Sequence, residues 1–272
     1  MKRAFWVFVT GGLTAISLLV ITSCATTETG RRQLNFVPQD QETQLGLTAF
    51  DQMKKEIPVS RDTQANALVS KVGARIAEQA KSRMPDAKWE FVVFESAEAN
   101  AFCLPGGKIG VYTGLLPITQ NEAGLAAVIG HEVAHASQHH GAERMSIATG
   151  VQGAQKAAGA VVDEKYSQMT MAAVGGIAKL GAELPYSRTH ETEADHVGVL
   201  YMARAGYDPE EALRFWERFA ASHGDESKGV VAKVSSLLRT HPVDSKRIED
   251  LKVLMPEAKA EYQKAKGRGT SP

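Results

Sequence analysis

The pentapeptide His131-Glu132-Val133-Ala134-His135 lies within a run from Asn121 to Arg144 whose apolar residues Leu125, Val128, Ile129 and Val133 recur at helical spacing. Residues four apart on an α-helix differ by about 6 Å in rise and about 40° in rotation, so both imidazoles reach one cation from the same face. Glu132 points about 100° away and can hold a water without being a ligand. A catalytic zinc takes three protein ligands and leaves one position for water. A third donor must therefore come from elsewhere in the chain.

Position 138 is Gln and position 141 is Gly, so the longer zinc motif that needs a glycine and a third metal-binding side chain at those places is excluded. His139 lies eight residues beyond His131, about 12 Å along the axis, and with His140 it reads as an exposed residue near the end of a helix continuing to Arg144. The better donor sits in Tyr186-Ser187-Arg188-Thr189-His190-Glu191-Thr192-Glu193-Ala194-Asp195. Glu191 and Asp195 are four apart on one face, so Glu191 can coordinate while Asp195 accepts the free ring N–H of a ligand histidine. Two imidazoles and one carboxylate suit Zn²⁺, one ion per chain, and hydrolysis needs no redox metal.

The rest of the chain supplies the setting. Lys2 and Arg3 precede an apolar stretch that ends in small residues before Cys24, the layout of a secretory signal, and Ile21-Thr22-Ser23-Cys24 resembles a bacterial lipobox. On that reading residues 1–23 are removed, Cys24 is acylated, residues 24–39 are a polar tether, and Ala25 directs the protein to the outer membrane of a Gram-negative bacterium, facing the periplasm. Cys103 is then an unpaired, buried thiol. With 31 basic against 31 acidic residues among 272 and no block of like charge, the chain has no electrostatic basis for binding nucleic acid.

Periodicity predicts helices over 40–56 and 62–81, a strand over 89–94, a hairpin of 101–104 and 108–112 around Pro105-Gly106-Gly107, and helices near 189–205, 209–221, 229–239 and 244–266. Residues 145–184 are rich in Gly, Ala and Met without an unbroken apolar span, and read as a helical lid. The expected class is α+β, mostly α-helical with a small β-sheet. One domain covers residues 40–255 and a polar tail covers 256–272.

The zinc helix, Glu191-x-x-x-Asp195, Asn100-Ala101-Phe102 with Pro105-Gly106-Gly107, and Thr240-His241-Pro242 before Arg247-Ile248 together resemble the membrane-associated gluzincin family that includes HtpX, the Oma proteases and the CAAX prenyl endoprotease. The likeness is to its soluble periplasmic lipoprotein members. The resemblance implies a zincin-like fold with an active-site helix, zinc on His131, His135 and Glu191, and Glu132 as general base. It places the strand Lys108, Ile109, Gly110, Val111, Tyr112 at the border of the cleft, where an exposed edge would bind a peptide by strand addition. His241 is then either a donor to the oxyanion or a removable fourth ligand, and Arg188 orients Asp195 or Glu191. The implied activity is zinc-dependent endoproteolysis of misfolded or unassembled envelope proteins, with the membrane contacted through acylated Cys24. The alternative is a chaperone-like binding factor for outer-membrane proteins that uses the adaptable surface of residues 145–184.

Overall fold

The computed structural model describes residues 24–157, 186–221, 235–241 and 245–269. The expected signal sequence 1–23, the part of the expected lid beyond residue 157 and the predicted helix start at 229–234 lie outside the described residues. Among the described residues the chain is mostly helical with two small sheets, the expected class. None of the described helices is long and apolar enough to cross a membrane.

A hairpin of β1 (Cys24–Thr26) and β2 (Arg32–Leu34) opens the fold, followed by α1 (Gln39–Glu56) and α2 (Thr63–Gln79). Asp62 caps α2 by accepting from the Gln64 and Ala65 amides, two of the donors that a helix start leaves unpaired. Next come β3 (Glu90–Phe94), β4 (Ala101–Leu104) and β5 (Lys108–Tyr112). The β4–β5 turn is the one expected: Gly106 and Gly107 have φ of 84° and 80°, a region that favours glycine.

The sheet order is β3-β5-β4, with β3 parallel and β4 antiparallel to β5. This corrects the sequence reading of Lys108–Tyr112 as an exposed edge. All five residues are buried and the strand is hydrogen-bonded on both sides, so it cannot accept another chain. The outer side of β3 is partly covered, since the Ser60 amide bonds the Val93 carbonyl and the Glu95 amide bonds that of Pro58. Among the described residues the open edge is β4.

One face of the sheet presents Val93, Ile109 and Val111 to α2 and to α4 (Glu122–Ser137), which is reached through a 3₁₀ turn and the one-turn helix α3 (Leu116–Thr119). The opposite face packs Phe94, Phe102 and Tyr112 against Phe50 of α1, edge to face in most pairs. Every residue of α4 from Gly124 to Ser137 is buried. Asn121 caps this helix by accepting from the Gly124 amide.

The predicted helix to Arg144 is in fact two. His139, with φ of 54°, breaks it between α4, which ends at Ser137, and α5 (His140–Ala157). The remaining helices are α6 (Arg188–Arg204), α7 (Glu210–Ala221), α8 (Ser235–Thr240) and α9 (Ser245–Gly267). The last one matches the helix expected over 244–266, but it buries Ala258 and Ala265 within the stretch expected to be a polar tail. Residues 24–34, read as tether, are likewise folded, with Thr27 and Gln33 buried.

Candidate metal centre

The site forms where α4 crosses α6. A Cβ on Gly198 would lie 2.8 Å from the His131 amide nitrogen, and one on Gly130 would lie 2.7 Å from the Gly198 carbonyl oxygen. Only two glycines let the backbones approach this closely. The contact sits beside His131, one turn from Asp195 and two from Glu191. Ser187 caps α6 by accepting from the His190 amide, which fixes the start of the helix just before Glu191.

Four buried side chains converge: His131, His135, Glu191 and His241. The Nε2 atoms of His131 and His135 are 3.0 Å apart, His241 Nδ1 is 3.2 Å from His131 Nε2, and Glu191 Oε1 is 3.0 Å from His241 Nδ1 and 3.3 Å from His135 Nε2. Asp195 lies where it was expected, 3.0 Å from His131 Nδ1. His131 therefore donates through Nδ1, and its Nε2 is a lone pair facing the cluster. Four ligands at zinc–nitrogen distances of about 2.0–2.1 Å have edges of about 3.3 Å, close to the separations observed. The donor types, their burial and these separations fit zinc.

Glu132 is buried beside them; its Oε1 makes no hydrogen bond and lies 3.3 Å from His241 Nε2. Burial pushes its carboxyl up to about 7, with Glu191 adding to the effect and His241 and Arg247 opposing it. Burial acts on Glu191 in the same direction, yet His241 and Arg247 hold it well below the usual carboxylate range. Burial pushes His135 well below the ordinary imidazole value.

Arg247 is the residue seen to orient the carboxylates, while Arg188 lies exposed at the first position of α6. Arg247 donates to Asp195 at 2.6 and 2.8 Å, its Nη1 is 2.8 Å from Glu191 Oε2, and its guanidinium lies 3.9 Å over the Trp216 ring. Sequence reasoning missed this role, although a signal was present. Arg247 occupies the buried stripe of α9 with Leu251, Met255 and Ala258, a place where a charge needs partners.

His140 was also misread. It is fully buried, with Nδ1 2.9 Å from His135 Nδ1 and Nε2 3.0 Å from Glu193 Oε2. Tyr186 stacks on His135 at 3.9 Å between ring centroids and walls a small cavity of about 40 Å³ whose lining includes Cys103, Leu104, His135 and Met145. The open edge of β4 borders this cavity.

A His-Glu-x-x-His pair on one helix, completed by a glutamate from a second, defines a zinc metallopeptidase class. Residues 63–254 match the model described as Peptidase family M48, and the chain belongs to that family, whose cofactor is zinc. It is similar to the mitochondrial metalloendopeptidase OMA1 of Schizosaccharomyces pombe, 35% identical over 86% of this chain and 66% of that protein. It is also similar to OMA1 of Saccharomyces cerevisiae, 36% identical over 65% and 50%. A bacterial relative is the beta-barrel assembly-enhancing protease of Yersinia pestis, 29% identical over 78% and 43%. The chain thus spans between 43% and 66% of the length of these relatives.

The comparisons overturn one expectation. The sequence reading placed the protein at a Gram-negative outer membrane, whereas relatives above 30% identity from two yeasts, a plant and cattle are mitochondrial proteins, and that placement does not stand. The lipobox-like match around Cys24 is a short local pattern and is outweighed by similarity over most of the chain.

Proposed function

We propose that the chain is a zinc-dependent endopeptidase acting on unfolded or unassembled proteins. The observation that carries this reading is the buried set His131, His135 and Glu191 with Glu132 beside it. When bound, zinc supplies a Lewis acid that polarises the scissile carbonyl and lowers the pKa of water. Glu132 holds the attacking water, takes its proton and passes it to the leaving amine. Asp195 and Arg247 keep His131 and Glu191 in orientation.

An extended peptide adds to the open edge of β4, residues Ala101–Leu104, and places a side chain in the cavity behind Leu104 and His135. Strand addition requires an extended stretch, which favours unfolded substrates and gives quality control a physical basis. His241 occupies the fourth donor position at rest, an arrangement that closes the site until the side chain moves.

The test is digestion of casein by the zinc-loaded full chain, with a chelator added and zinc then restored. Cleavage should stop and return, and a tightly folded protein should resist. If the wild type and His241→Ala both bind casein and zinc without cutting, the peptidase reading is overturned in favour of the chaperone-like alternative.

A further inference from the structure

The hairpin Cys24–Leu34 is joined to the metal centre by a continuous chain of hydrogen bonds. Glu193 of α6 is buried and accepts from Thr27 Oγ1, Thr29 Oγ1, Arg31 Nε at 2.7 Å and His140 Nε2 at 3.0 Å. A carboxylate offers about four acceptor sites, so Glu193 is saturated, and three of its donors come from the hairpin.

Saturation has a consequence one step inward. Because Glu193 is held as a pure acceptor, the Nε2 of His140 carries the proton and its Nδ1 is a lone pair. That lone pair, 2.9 Å from His135 Nδ1, can only accept. His135 must then carry its proton on Nδ1, which leaves Nε2 bare toward the cluster, the tautomer a metal ligand requires. In the opposite tautomer a hydrogen would occupy the metal's place.

We propose that Arg31, with Thr27 and Thr29, is a positioning element for zinc: through Glu193 and His140 the N-terminal hairpin fixes the tautomer and orientation of His135. Family membership does not supply this role, since the matched region begins at residue 63. Arg31 also donates to Glu143 at 2.8 and 2.9 Å and so ties the hairpin to α5, which keeps the three donors in register. The inference rests on the zinc-site reading above.

The experiment measures zinc affinity of the full chain in detergent by competition with a chromophoric chelator, alongside circular dichroism. Arg31→Ala and the milder Thr29→Val should keep the helical spectrum yet bind zinc more weakly, with Arg31→Ala losing about 10- to 100-fold, the range for outer-shell partners of a ligand. Arg31→Lys should recover part of the loss. In a His140→Ala background, Arg31→Ala should cost under about threefold more, because the route inward is already cut. Wild-type affinity in both folded variants would overturn the proposal, and so would an undiminished Arg31→Ala loss in that background. A wild type that binds no zinc, or one whose affinity survives His131→Ala, would overturn the zinc-site reading itself.

Discussion

Arg247 grips Asp195 through two hydrogen bonds of 2.6 and 2.8 Å, and Asp195 in turn lies 3.0 Å from Nδ1 of His131. The guanidinium is the buried countercharge for two carboxylates, Asp195 and Glu191. Removing it leaves both uncompensated, a loss of about 3–5 kcal/mol for a broken buried pair. Arg247→Met should therefore lower the thermal stability of the zinc-free protein by that order and weaken zinc retention. Arg188→Ala, on an exposed position, should leave both within about 0.5 kcal/mol of wild type. Parallel melting curves of the two variants check this.

Gly198 faces the backbone of His131 with no room for a methyl group. Gly198→Ala must push α6 away from α4, and overpacking of this kind costs about 1–3 kcal/mol. Because the same contact sets Glu191 against His131 and His135, zinc affinity should fall together with the melting temperature. A variant that melts lower but binds zinc as wild type would separate packing from site geometry.

Glu143 ties α5 to the hairpin and to α6. Burial pushes its carboxyl up, but hydrogen bonds from His190 and Arg31 outweigh that and bring it down to about 2. Glu193 and His140 are the other titratable groups in this cluster, both on the Arg31 side. A carboxylate depressed in the folded state gives its full stabilisation above its unfolded value near 4.5, and this is lost as pH falls from there toward about 2. Urea unfolding between pH 5 and pH 3 should show stability declining with acid, and Glu143→Gln should make that decline shallower.

Much of this architecture is legible in local sequence. Helical periodicity, the Asn121 and Asp62 caps, the Pro105-Gly106-Gly107 turn and the zinc helix all depend on residues within a turn or two of one another. What escaped is non-local. Strand order is decided by a parallel pairing between β3 and β5, so nothing inside Lys108–Tyr112 marks it as central rather than edge. The helix break at His139 carries neither glycine nor proline, and without it His140 falls on an exposed face instead of behind His135. Arg247 was visible as a motif residue, but its carboxylate partners lie more than fifty positions away in sequence.

His241 brings its Nδ1 to the donor cluster and its Nε2 to 3.3 Å from Glu132. If it closes the site at rest, His241→Ala should keep one zinc on the other three donors and cut casein faster than wild type. Slower cleavage with zinc retained would assign His241 to stabilising the transition state instead.

Proton transfer in the proposed hydrolysis depends on Glu132, the buried carboxylate placed to move the proton. Casein digestion by wild type and Glu132→Gln, with bound zinc measured in both, isolates that role from metal binding. The expected result is one zinc per chain in each and cleavage by the wild type alone, with the variant slowed at least about 100-fold. A zinc-loaded Glu132→Gln protein that cleaves as fast as wild type would contradict it.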